Sequence, residues 1–196
     1  MEYYESILWR RLDVPGHEVA EQRQTVHGWQ LRGVAVFAHE DRPCRVEYDI
    51  RCDENWQTEL VTLSGNVGER TIAMELLRNP AGEWSMHGSK VWELTDCDDV
   101  DLNFSPSTNM LPIRRLGLAV GKNAGVRAAW VRFPEFTLEV LEQTYSRIGP
   151  TSYRYESANG KFRRDLTIDE AGFVLEYPDF WRAEARWGLG GPEAKR

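Results

Sequence analysis

The sequence predicts a mainly β protein: a single domain built on one large antiparallel sheet of the meander type, with little helix. Three observations carry this prediction. From Cys44 to Cys52, apolar Cys44, Val46, Tyr48, Ile50 and Cys52 alternate with charged Arg45, Glu47, Asp49 and Arg51, the period-two signature of a strand with one dry and one wet face. Asn159-Gly160 separates two strand-like runs and supplies the positive φ angles that a two-residue hairpin turn demands. About ten strand candidates follow one another at short intervals, and no long segment shows clean helical periodicity.

Taken in order, Trp29 to Phe37 is a strand, Arg42-Pro43 marks a turn, and Cys44 to Cys52 is the next strand. Thr58 to Leu63 and Thr71 to Leu77 flank a glycine-containing connection. Asn79-Pro80-Ala81-Gly82 then turns the chain into Trp84 to His87, and Val91 to Leu94 follows Gly88. Thr137 to Ile148 has helical propensity, but Pro134 and its flanking strands favour a strand. Ser152 to Ser157, Lys161 to Ile168 and Phe173 to Tyr177 complete the strand candidates, while Met110 to Leu118 and Asp179 to Trp187 each have room for one helical turn. A sheet of so many strands has to curl, split into a sandwich or close.

The 196 residues, 41% hydrophobic and 28% charged, suit one domain that buries roughly 70% of its unfolded surface. Residues 1–187 are expected to form it, with 188–196 as a mobile tail. Asp and Glu (31) outnumber Lys and Arg (24), which argues against a nucleic-acid partner. The acidic start, Met1-Glu2-Tyr3-Tyr4-Glu5, lacks a secretory signal's basic and apolar segments. No apolar run approaches the ~20 residues of a bilayer span. Cys44 and Cys52, roughly 26 Å apart on one strand at ~3.3 Å per residue, cannot bridge each other, so reduced buried thiols are expected. A cytoplasmic protein without integral membrane association follows as the expectation.

Chemistry is sparse. His17, His27, His39 and His87 have no metal-ligand spacing, and neither a serine-hydrolase motif nor a phosphate loop is present. No metal, cofactor or catalytic residue is therefore assigned. The strongest polar feature is Asp96-Cys97-Asp98-Asp99-Val100-Asp101. On a strand, Asp99, Asp101 and Asn103 share one face, where two carboxylates suit a cation or acid–base work. An ion pair with Arg114 or Arg115 explains the same pattern structurally. Eight tryptophans fit a packed core, with Trp130 its best candidate, or a binding pocket.

Cys52-Asp53-Glu54-Asn55-Trp56-Gln57-Thr58, Gly82-Glu83-Trp84, Asp96 through Leu102, Thr108-Asn109-Met110-Leu111-Pro112-Ile113-Arg114-Arg115-Leu116, Gln143-Thr144-Tyr145, Asp169 through Gly172, Tyr177-Pro178 and Trp181-Arg182 together resemble the bacterial family named for putative glycolipid binding. The resemblance runs from about Trp9 to Arg182 and departs from the family pattern at Ser107, where a bulky aromatic is expected. It implies a curved half-barrel, or incomplete barrel, similar to that of lipoprotein carriers, whose concave apolar face would take an acyl chain. The expected partner is an amphiphilic small molecule such as a glycolipid. Trp56, Asp99, Asp101, Asn109, Arg114 and Arg115 are the candidate ligand-binding residues, gathered as a polar patch at one end. The alternatives are a glycan- or glycolipid-acting enzyme using Asp99 and Asp101, and a protein-interaction domain without a small ligand.

Overall fold

Alternation becomes a ladder wherever it meets a neighbour of matching register. The computed structural model describes residues 3–189. They form β1 (Tyr4–Arg11), β2 (Gly16–Thr25), β3 (Gly28–His39), β4 (Arg42–Cys52), β5 (Thr58–Val67), β6 (Arg70–Arg78), β7 (Trp84–Met86) and β8 (Ser89–Lys90). The second half supplies β9 (Asp99–Leu102), α1 (Met110–Leu116), β10 (Asn123–Arg132), β11 (Thr137–Gly149), β12 (Ser152–Ser157), β13 (Phe162–Ile168), β14 (Val174–Tyr177) and β15 (Trp181–Leu189).

All fifteen strands belong to one sheet, in the order β8-β7-β6-β5-β4-β3-β2-β1-β15-β14-β13-β12-β11-β10-β9. Two meanders are thus joined where the first strand pairs with the last. Every pairing is antiparallel except that of β9 with β10. The sheet does not close, since β8 and β9 are its edges. It curls until β9 reaches β5, where the Thr58 amide donates to the Asp98 carbonyl (3.4 Å) and the Val100 amide to Thr58 Oγ1 (3.3 Å). Side chains, rather than a ladder, bridge this seam. Trp84 Nε1 donates to the Cys97 carbonyl (2.9 Å), and Arg78 Nη2 to Asp98 (3.1 Å). The curved, mainly β architecture is the expected one, and no helix among the described residues is long and apolar enough to cross a membrane.

The concave side is not hollow. Every residue at positions 104–113 is buried, because the chain leaves β9, makes a 3-10 turn at Ser107–Asn109 and runs into α1 across the inside of the sheet. Phe104, Met110 and Leu111 are each at most 1% exposed, and burying such side chains stabilises by ~1.5–3 kcal/mol apiece. Pro112 falls in the helix's first turn, where no intrahelical amide is needed. Gly117 ends the helix in the left-handed region (φ 51°), its amide returning to the Ile113 carbonyl. The protein's own segment thus fills part of the concave side, where the resemblance implied room for an acyl chain.

Several local expectations change. Trp92–Leu94 is a 3-10 turn rather than a strand, and Asp179 to Trp187 contributes to β15 rather than a helical turn. The reversal before β4 lies at Glu40 and Asp41, both at positive φ, with Pro43 already inside the strand. Thr137 to Ile148 is the strand β11. Asn159-Gly160 sits in a four-residue loop, 158–161, between β12 and β13. Gly188 and Leu189 pair with Glu5 and Tyr4; the remainder of the expected tail, 190–196, lies outside the described residues. Cys44, Cys52 and Cys97 are buried and free.

Candidate functional site

A cavity of about 470 Å³ opens on the concave side near the Arg11 end of β1. Register explains what faces it. Asp101 on β9 is aligned with Trp130 on β10, and Gln143 on β11 is aligned with Ser157 on β12, so all four side chains emerge from one face of the sheet. Gln143 Nε2 donates to Asp101 Oδ2 (2.7 Å) and to Tyr155 Oη (3.2 Å). Burial pushes the Asp101 carboxyl up to about 6, against the pull of the Gln143 hydrogen bond. Asp101 as a residue is half-buried and lines the cavity. An aromatic wall continues around it: Tyr155, Phe162, Phe180, Tyr177 and Trp181 have neighbouring ring centroids 5.4–6.0 Å apart. Trp181 Nε1 is buried without a hydrogen-bond partner among the described residues.

Behind this wall lies a second buried carboxyl. Glu18, on β2, accepts from Tyr48 Oη (2.6 Å) and Ser105 Oγ (2.5 Å) through Oε1, while Oε2 has no partner. Burial raises its pKa to about 7, opposed by those two hydrogen bonds and by the Arg11 charge. Ser105 also lines the cavity, so one hydroxyl links the buried acid to the cavity wall. Ser107 completes the cluster at 2.7 Å from Ser105.

The six residues singled out from sequence do not form one patch. Asp101 and Asn109 both line the cavity, Asn109 donating to Tyr145 Oη (2.8 Å). Asp99 lies beside them in sequence but is bound on both oxygens by Arg115. Trp56 and Arg114 belong to the opposite end of the strands. There Trp56 stacks on Trp29 (4.5 Å, 19°), with the Arg114 guanidinium 5.2 Å from the Trp56 ring. Asn109, the residue before α1, lines the cavity, whereas Ile113 and Arg114 within the helix line a different recess. Among the described residues, no group of three His, Cys, Asp or Glu stands close enough to hold a metal ion.

The family model described as "Putative glycolipid-binding" matches residues 6–183. The chain belongs to that family. A crystal structure of a DUF1089 family protein from Pseudomonas aeruginosa is similar, with 27% identity and a TM-score of 0.70 over 90% of this chain and 91% of that one. None of the curated proteins matches this chain.

In this member of the putative glycolipid-binding family, Ser107 is 1% exposed among Ser105, Tyr48 and Glu18, a polar site that a hydroxyl serves. Much of the cavity was not foreseen. Glu18 drew no attention in the sequence, Gln143 entered only within the family resemblance, and Trp130, expected in the core, is half-buried on the cavity wall. The aromatic density from Phe173 to Trp181 was the one available signal, and it reads equally well as core.

Proposed function

We propose that the protein binds an amphiphile by its head group, a glycosyl ring seated in the cavity beside Asp101. The observation that supports this reading is the combination in one recess of edge-to-face and tilted aromatic rings with unsatisfied polar capacity: the open side of Asp101 and the orphaned Trp181 Nε1. A sugar offers both complements, an apolar ring face and hydroxyls that donate and accept. Stacking contacts contribute ~0.5–1.5 kcal/mol each and hydrogen bonds ~0.5–1.5 kcal/mol. Association costs of at least ~4 kcal/mol make the head group alone a weak ligand. Affinity then rises with the first methylenes, at ~0.8 kcal/mol per buried CH2, lying on half-buried Trp130, Leu141 and Phe162. The rest of a long tail stays outside, because positions 104–113 fill the interior.

Calorimetric titration with monomeric octyl β-glucoside, and with 1-octanol as the headless control, tests this. The glucoside should bind more tightly than the alcohol, and Trp181→Phe should weaken glucoside binding several-fold. Equal binding of glucoside and alcohol, or no glucoside binding at millimolar concentration, refutes the reading. A catalytic Asp99–Asp101 pair has less support, since Arg115 occupies both oxygens of Asp99.

A further inference from the structure

Charge accounting around the cavity isolates one group. Arg11 is held by Asp13 (2.8 Å), Arg164 by Asp179 (3.1 Å), and Arg132 by Glu139 (3.1 Å). Each neighbouring guanidinium thus already has its own carboxylate, although Arg11 Nη1 has no hydrogen-bond partner among the described residues. Asp101 makes no ion pair among the described residues, and its one side-chain hydrogen bond comes from the neutral Gln143 amide. Of the rings lining the cavity with it, Trp130 and Phe162 already carry the Arg132 and Arg164 guanidiniums (5.4 and 5.0 Å), while among the described residues no cation lies over Tyr155 or Tyr177, whose faces attract cations and repel anions. A carboxylate lacking a counter-charge, in a recess it shares with the Tyr155 and Tyr177 rings, is the arrangement that an ammonium group complements.

Resting on the head-group reading above, we infer that the cavity selects head groups carrying a protonated amine, as in amino sugars, with Asp101 as the specificity-determining residue. The ammonium takes the open side of the carboxylate while Gln143 keeps the other oxygen in place. The hydroxyl of a neutral sugar makes a hydrogen bond at the same position but leaves the charge uncompensated, and a charge-assisted bond is roughly twice as strong as a neutral one.

The other titratable groups facing Asp101 are the tyrosines: Tyr155, Tyr145 and Tyr177 are all held above the ordinary phenol range, burial being the first cause. They remain neutral throughout the accessible pH range. Glu18 stands behind Ser105 and titrates near neutrality, so Glu18→Gln is the control that separates its contribution from that of Asp101.

The test compares two probes that differ at one position, octyl 2-amino-2-deoxy-β-glucoside and octyl β-glucoside, titrated into the full-length protein. At pH 7 the amino glycoside should bind at least tenfold tighter, and Asp101→Asn should bring the ratio close to one. In the wild-type protein, with no substitution to disturb folding, the ratio should shrink between pH 7 and pH 5 as Asp101 takes up its proton. Glu18→Gln should retain that shrinkage. Equal affinities at pH 7, or a preference that persists in Asp101→Asn, overturn the inference while leaving the head-group reading intact. Failure of both probes to bind overturns the head-group reading and this inference together.

Discussion

Arg115 closes a two-pronged hydrogen bond on Asp99, Nε meeting Oδ1 at 3.1 Å and Nη2 meeting Oδ2 at 2.6 Å. Asp99 is 1% exposed, and burial raises its pKa while the guanidinium opposes that rise. Asp98 bridges Arg115 to Arg78 (3.6 and 3.1 Å), so the pair also pins the seam between the two halves of the sheet. Removing one partner strands a buried charge, which costs ~3–5 kcal/mol. Arg115→Ala should lose about that much in urea denaturation, whereas Asp99→Ala with Arg115→Ala should lose less than the sum of the two single changes.

Glu18 makes stability depend on pH. Its pKa rises from 4.5 to about 7 on folding, so between those values the native state holds a proton that the unfolded chain has released. The contribution is fully present below pH 4.5 and is lost as pH rises through 7, amounting to about 3 kcal/mol. Chemical denaturation of the wild-type protein at pH 4.5 and pH 8, compared with Glu18→Gln, should show the variant losing less stability across that interval by about this amount.

Two strand glycines should respond in opposite senses to alanine. At Gly33 a Cβ would collide with Tyr48 Oη, since the Tyr48 ring lies across the glycine to reach Glu18. At Gly125 nothing stands within 4 Å. Gly33→Ala should destabilise by about 2 kcal/mol through overpacking, and Gly125→Ala should be neutral or stabilise by up to about 1 kcal/mol. Thermal melts of the two variants decide this.

Arg114 was expected beside the ligand, but it rests on Trp29 and Trp56 at the far end of the strands. Arg114→Ala should therefore lose ~0.5–2 kcal/mol of stability through the cation–π contact. Its alkyl glycoside affinity, read by calorimetry, should stay within a factor of two of the wild type.

How much was legible in the sequence follows from where side chains obey hydropathy. β4 alternates cleanly, and its buried and exposed faces are those the pattern gives. β2 inverts the rule: Glu18 and Gln22 point inward at 1% and 0% exposure, while Val19 is 52% exposed. No periodicity argument finds such a strand. The Asp–Arg pairing was legible as one of two options, because local spacing limits an acidic strand and a basic helix to few arrangements. That α1 fills the concave side was not, since the Thr108 to Leu116 run reads the same whether it lines a hollow or plugs it. The cavity escaped for a related reason. It is assembled from β1 and from β9 through β15, whose adjacency depends on the long-range pairing of the first strand with the last.

The most direct test observes the indole N–H resonances of the eight tryptophans during titration with an alkyl glycoside. Trp9 and Trp84 donate to backbone carbonyls inside the protein (2.5 and 2.9 Å) and should not move, whereas Trp181 and Trp130, on the cavity wall, should shift in a saturable manner. Shifts confined to Trp29 and Trp56, or no shift at any indole, would contradict the account.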